Sequence, residues 1–141
     1  MKITTRGRYA LRIMVDLARH ADHAYTPLSE IAKRQDISLK YMEMIVSMLN
    51  KAGFVTSTRG KNGGYHLNGE PEDFTVSSIL KLTEGSLAPV ACLEEGSVSC
   101  PRAGHCETLP MWIGLERVVD NYLGGITIAD LTAQAERGGS I

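Results

Sequence analysis

LSEIAKRQDISLKYMEMIVSMLNKAGFVTSTRGKNGGYHL, residues 28–67, decides the fold. Leu28, Ile31 and Ala32 share one face of a short helix, with Thr26 as its N-cap and Pro27 at its first helical position. Only a few residues, Arg34 to Ile37, separate it from Ser38, the expected cap of a third helix running to about Ala52 and closed by Gly53. In that helix Met42, Ile45, Val46 and Leu49 fall at i, i+3, i+4 and i+7, the spacing of a core stripe. Lys40, Tyr41, Glu43, Met44, Ser47 and Lys51 are left to point elsewhere. Two short helices joined this tightly make a helix-turn-helix.

Next come Phe54-Val55-Thr56-Ser57-Thr58, the glycine-rich Arg59-Gly60-Lys61-Asn62-Gly63-Gly64, and Tyr65-His66-Leu67. Asn-Gly between two short β-prone runs is a strong hairpin cue, so a wing with a basic tip is expected. A helix fits the major groove, and its first turn offers side chains to base edges and amides to phosphate. Ser38, Lys40, Tyr41, Glu43 and Met44 occupy that turn and a half. Glu43 can accept from a cytosine amino group, while Lys40 and Tyr41 suit phosphates. Arg59 leads the wing tip, where a guanidinium can enter a narrow, electronegative minor groove. Lys61, as a further phosphate contact, and Gly63 complete the candidate DNA-binding set. A solvated helix face and a basic surface turn would be the bland alternative.

Outward from this segment, residues 5–21 read as an amphipathic helix in which Tyr9, Ile13 and Leu17 recur beside Ala10, Met14 and Ala18. Thr4 or Thr5 could cap it, and it should end near residues 20–23. Past a 69–73 linker, Thr75 opens a helix ending at Glu84, with Val76, Ile79, Leu80 and Thr83 on one side and Gly85 as its stop. Thr108 caps a longer helix from about Leu109, with Pro110 tolerated in its first turn. Trp112, Leu115, Val118, Val119, Tyr122 and Leu123 form its apolar stripe, and it reads as a dimerisation helix. Thr127 and Asp130 fit a capping box for one last short helix, and residues 136–141 should be frayed. The expected fold class is therefore mostly α with a small β-wing: a winged helix-turn-helix over residues 1–68, then a cysteine loop and dimerisation helices over 69–141.

The chain of 141 residues carries a net charge of −1 that hides an asymmetry. Residues 1–65 hold eleven Lys/Arg against five acids, a net +6, whereas residues 66–141 hold four against eleven, a net −7. A basic half joined to an acidic half suggests nucleic acid on one side only. No run approaches the roughly 18 apolar residues that span a bilayer, and the N-terminus lacks the pattern of a signal peptide. Cytoplasmic residence is expected, where thiols stay reduced.

All three cysteines, Cys92, Cys100 and Cys106, fall in VACLEEGSVSCPRAGHCETLP, residues 90–110. Its Gly, Ser and Pro content argues against continuous helix or strand. An odd number of thiols leaves one unpaired after any intrachain disulfide. Cys-x(7)-Cys-x(5)-Cys can supply three thiolates to an iron–sulfur cluster. A structural zinc site usually brings close Cys pairs, which are lacking. A thiol redox switch needs two cysteines in reach and a depressed thiol pKa, and burial as small hydrophobes suits so polar a loop poorly. His105 and Glu107 are neighbouring candidates for a fourth ligand, and His20, His23 and His66 are expected to be solvated. The Gly60 to Gly64 run fits neither the Walker nor the dinucleotide pattern. With no catalytic triad in view either, an enzyme is not expected.

The opening MKITTRGRYAL, the 28–67 segment and three cysteines before a tryptophan-bearing helix together resemble the IscR/NsrR/RirA group of winged-helix bacterial regulators, the Rrf-two family. The resemblance covers nearly the whole chain. It implies a homodimeric repressor or activator of double-stranded operator DNA, and the lack of a long apolar run leaves no membrane partner expected. Its recognition helix would begin near Ser38, and Arg59 would enter the minor groove. It also implies a 2Fe–2S or 4Fe–4S cluster on Cys92, Cys100 and Cys106 that gates DNA binding. Two positions depart from family patterns: Leu109 stands where IscR-like members place a histidine ligand, and Arg8 where NsrR-like members place an aspartate. The cysteine spacing looks closer to RirA-like regulators. A regulator of cysteine metabolism with the same fold and no cluster is the alternative.

Overall fold

Helix α1 (Thr5–Arg19) begins where Thr4, in an extended conformation, turns its hydroxyl onto the chain ahead. That oxygen accepts from the Gly7 amide and donates to Glu84 Oε1 at 2.7 Å. In the computed structural model, residues 1–22, 25–97 and 100–137 are described. His23 and the tail beyond Arg137 lie outside the described residues. Gly7 allows the close approach of α1 to α4 (Val76–Glu84): a Cβ there would stand 2.4 Å from Glu84 Oε1 and 3.1 Å from Leu80 Cδ2. Ala10, Ile13, Met14 and Leu17 then fill the centre of the main core.

Helices α2 (Leu28–Gln35) and α3 (Leu39–Lys51) follow as expected, joined by Asp36, Ile37 and Ser38. Asp36 adopts the left-handed conformation (φ 53°) that ends α2, and Ile37 is buried below it. Helix α2 starts later than its sequence suggests. Pro27 is the N-cap and no side chain caps it, because Thr26 is buried and its backbone is used elsewhere. The Thr26 amide and carbonyl both pair with Tyr65, each at 2.8 Å.

That pairing adds a third segment beside the wing, whose strands β1 (Val55–Thr58) and β2 (Gly64–Leu67) run antiparallel with Val55 opposite Leu67 and Thr58 opposite Gly64. Gly64 is required here: its φ is +153°, and a Cβ would lie 2.2 Å from the Thr26 carbonyl oxygen. The tip is a five-residue loop, 59–63, by the register of the ladder. The Gly63 amide donates to the Gly60 carbonyl at 3.0 Å, which puts Lys61 and Asn62, rather than Asn62 and Gly63, at the centre of the turn.

The 69–73 segment carries a 3-10 turn, Pro71–Asp73, held by reciprocal bonds between Glu70 and Asp73. Helix α4 is capped by Thr75 and stopped by Gly85, with Val76, Ile79, Leu80 and Thr83 buried. Helix α6 (Ile128–Glu136) has both bonds of the Thr127 and Asp130 capping box. Its entry is tied to that of α4, since Val76 donates to Ile126 and Ile128 to Phe74, each at 2.9 Å.

Between them runs α5 (Leu109–Gly124), in which no residue is buried. Asp120 fixes it to α4, accepting from Lys81 Nζ at 2.7 Å and Ser77 Oγ at 3.2 Å. Its expected single stripe divides into two adjoining ones. Trp112, Val119 and Leu123 are half-buried, whereas Met111, Leu115, Val118 and Tyr122 are exposed at spacings of four, three and four. Among the described residues the protein is thus six helices and one two-stranded sheet, the fold class expected. No described helix is long and apolar enough to cross a membrane.

Candidate nucleic-acid interface and thiol loop

The first turn of α3 is open to solvent. Ser38 Oγ accepts from the Tyr41 amide at 3.2 Å, satisfying one of the helix's orphan donors. Ser38, Lys40 and Glu43 are exposed, while Met42, Ile45, Val46 and Leu49 are wholly buried on the opposite stripe. Tyr41 is half-buried, its ring edge-on to Tyr9 with centroids 5.7 Å apart. Its ring therefore belongs to packing, and the hydroxyl is what it can offer a phosphate. Arg59 and Lys61 are exposed on the wing tip. Gly63 is half-buried there, and a Cβ would sit 2.4 Å from the Thr58 carbonyl oxygen, so the tip's own packing accounts for it.

A polar network behind this surface escaped the reading of the sequence. Asp16, only 3% exposed, accepts from Arg34 Nε at 3.1 Å, Arg34 NH2 at 2.7 Å and Gln35 Nε2 at 2.8 Å. Gln35 in turn accepts from Arg12 Nε at 3.0 Å through its side chain, and its carbonyl also bonds that guanidinium. Arg12 lies over the Tyr9 ring, 5.1 Å from its centroid. The chain of contacts thus runs from α1 through the end of α2 to Tyr41. Hydrogen bonding to Asp16 raises the Arg34 pKa above the ordinary arginine value, so the guanidinium stays charged. The sequence signal was an acid set three residues after Ile13 and next to Leu17, within an otherwise apolar stripe.

Two histidines expected to be solvated are instead engaged. His20 Nδ1 lies 2.8 Å from the Asp16 carbonyl oxygen. His66 packs tilted against Tyr25, ring centroids 4.4 Å apart, with Nδ1 2.7 Å from the Leu67 carbonyl and Nε2 3.0 Å from Thr56 Oγ1.

The cysteine loop contains two 3-10 turns, Ala91–Leu93 and Ala103–His105. Cys92 is exposed, Cys100 and Cys106 are half-buried, and none is in a disulfide. Thr108 is the N-cap residue of α5, as expected, but its side chain bonds none of the helix's amides; its hydroxyl is 3.4 Å from Cys106 Sγ. That contact, followed by the Thr108 and Leu109 amides, lowers the Cys106 thiol pKa from its ordinary value. His105 and Glu107 are exposed beside it. Leu109 begins α5, and Arg8 on α1 bonds Thr5 Oγ1, so neither supplies a metal ligand. The three thiols are the right donors for soft iron. Yet among the described residues no three His, Cys, Asp or Glu side chains stand together closely enough to hold a metal ion. The donor set fits a cluster and its placement here does not.

A helix-turn-helix followed by a β-hairpin, with the buried face of α1 packed behind it, defines a winged-helix DNA-binding regulator. Residues 3–134 match the family model described as "Rrf2: Iron-dependent Transcriptional regulator", and the chain belongs to the Rrf2 family of transcriptional regulators. It is 40% identical over 135 residues to Protein rrf2 of Nitratidesulfovibrio vulgaris, an alignment covering 96% of this chain and 89% of that protein. The solved structure of IscR from T. potens superposes with a TM-score of 0.79 at 33% identity, covering all of this chain and 93% of the other. CymR, the global cysteine regulator of B. subtilis, superposes with a TM-score of 0.74 at 36% identity, covering 94% of this chain and 97% of that one.

Proposed function

We propose that this protein is a homodimeric, cytoplasmic repressor or activator that binds double-stranded operator DNA and has no enzymatic role. Residues 1–68 would supply the reader, and 69–141 the sensor loop and the dimer contact. The observation that carries this reading is the exposure of Ser38, Lys40 and Glu43 at the open end of α3, with Arg59 and Lys61 exposed on the wing that follows. Lys40 and Lys61 hold phosphates, with the Tyr41 hydroxyl beside them, Glu43 meets a base edge, and Arg59 enters the minor groove. Gly63 keeps the tip narrow enough to follow.

Selection from a randomised duplex pool, followed by titration at several salt concentrations, tests the assignment. Lys40→Ala and Lys61→Ala should weaken binding on all sequences alike and each shrink the salt slope by about one unit. Glu43→Ala should change which sequences bind, by roughly 1–3 kcal/mol at one position. Arg59→Ala should cost most on A·T-rich, narrow grooves. Unchanged binding by both Glu43→Ala and Arg59→Ala across the pool would overturn the interface.

For sensing, the proposal is a 2Fe–2S or 4Fe–4S cluster on Cys92, Cys100 and Cys106 that controls operator binding. Three thiols in one loop and the iron-dependent family description support it. Binding would require the loop to gather its cysteines, which stand apart here. Anaerobically purified protein should be brown, and replacing any of the three by Ala should bleach it. Colourless protein with stoichiometric zinc would overturn the cluster. A second reading has its own support: the acidified Cys106 thiol and the likeness to CymR favour a thiol switch or a cysteine-metabolism repressor without a cluster.

A further inference from the structure

We propose that Leu39 and Met44 read thymine methyl groups on the floor of the major groove. This rests on the DNA-binding reading and names the apolar part of its recognition. Helix α3 buries Met42, Ile45, Val46 and Leu49 completely and Met48 in part, yet leaves Leu39 46% and Met44 44% exposed. A single exposed hydrophobic side chain needs no explanation. These two, however, stand in the first turn and a half, among the polar residues presented to DNA. Leu39 is four residues before Glu43, and Lys40 four before Met44, so each helical row sets an apolar group beside a charged one.

The charges around them identify the occupant. Lys40, Met44, Ser47 and Lys51 form one exposed row along α3. Its two lysines are separated by about 16 Å along the axis. With the start of α3 in the groove, a long lysine at each end of the row can reach toward backbone phosphates and leave Met44 over the base edges between. The thymine C5-methyl is the apolar group presented on those edges. Methionine's unbranched side chain can settle onto a methyl without a fixed register. An apolar protein partner would not call for a lysine at each end of the row.

The test uses the full-length protein and a duplex recovered by selection from a randomised pool, resynthesised with deoxyuridine in place of each thymidine in turn. Only the methyl is removed. Wild-type affinity should fall about three- to fourfold at one or more positions, the worth of one buried methyl-sized group. Met44→Ala or Leu39→Ala should bind thymine and uracil duplexes alike at those positions, still at full sequence preference elsewhere. Both side chains are exposed, so neither variant should lose its fold. Sequence-specific binding indifferent to every substitution would overturn this inference and leave the DNA reading standing. Failure to recover any preferred duplex would remove the DNA reading itself. A change of oligomeric state in Met44→Ala, with thymine discrimination intact, would assign the pair to a protein contact and also overturn the proposal.

Discussion

Arg34 closes on Asp16 through two near-parallel hydrogen bonds, 3.1 Å from Nε and 2.7 Å from NH2, and so fastens the end of α2 to the middle of α1. The carboxylate is buried, while the guanidinium side chain is 32% exposed. Removing the arginine leaves the acid in the interior with Gln35 as its side-chain donor. Breaking a buried pair costs about 3–5 kcal/mol, and the partial exposure of Arg34 places this one toward the lower end. Arg34→Ala should therefore lower the stability read from urea melts by roughly 3 kcal/mol. Arg34→Lys should recover only part, because an ammonium cannot reproduce the fork. Losses under about 0.5 kcal/mol in both variants, the level of an ordinary surface change, would contradict the account.

Gly64 should tolerate no side chain. A Cβ there would lie 2.2 Å from the Thr26 carbonyl oxygen and 2.7 Å from the Pro27 nitrogen, all backbone that cannot swing aside, at a positive φ of 153°. Gly64→Ala should cost at least about 1–3 kcal/mol and loosen the wing from α2. Far-ultraviolet helicity should persist below the melting transition while DNA affinity drops. Wild-type affinity in a wild-type-stable Gly64→Ala protein would mean that the wing root is not rigid.

The exposed row of α5 predicts the oligomer. Val118 and Tyr122 are 64% and 68% exposed, so a charge at either leaves the core of one chain untouched. Burial against a second copy gains roughly 25 cal/mol per Å² of apolar surface, and a charge there would forfeit it. Val118→Asp and Tyr122→Asp should sediment as folded monomers and the native protein as a dimer. A native monomer at micromolar concentration would sink the dimer.

Cys106 should be the most reactive thiol near neutral pH. Its pKa is lowered chiefly by the Thr108 hydroxyl, so the thiolate persists to lower pH than at an ordinary cysteine, whose pKa is about 8.5. In metal-free, reduced protein, iodoacetamide labelling followed by peptide mapping should show the pH midpoint of Cys106 below the ordinary value. Thr108→Val should move that midpoint up. Equal midpoints in native and Thr108→Val protein would remove the hydroxyl as its cause.

What the sequence revealed was local. Ser38 and Thr127 could be assigned as caps because a cap and its amide lie three residues apart. The stripe of α3 was legible for the same reason: its period alone names Met42, Ile45, Val46 and Leu49. Asp16 was not, since its partners Arg34 and Gln35 lie 18 and 19 residues away and meet it only after α2 folds back. Thr26 misled because a threonine before Pro-Leu resembles a cap, while its pairing to Tyr65 depends on a strand thirty-nine residues on. On α5, periodicity found the apolar positions but could not divide them between α4 and solvent. The cysteine loop shows the same boundary: spacing identifies thiol donors, whereas their convergence depends on a chain path that no period encodes.

The two bonds between Thr26 and Tyr65 also restrict how this reader can diversify. With the wing's root stitched to the threshold of α2, the hairpin cannot slide or tilt independently of the helix pair. Its tip, residues 59–63, is the one stretch of the hairpin outside the ladder. Insertions that lengthen the tip should thus be tolerated and alter minor-groove reach, while insertions at the root should unseat both reading elements together. New operator preferences would then arise by exchanging side chains on α3 or resizing the tip, with the distance between the two held constant.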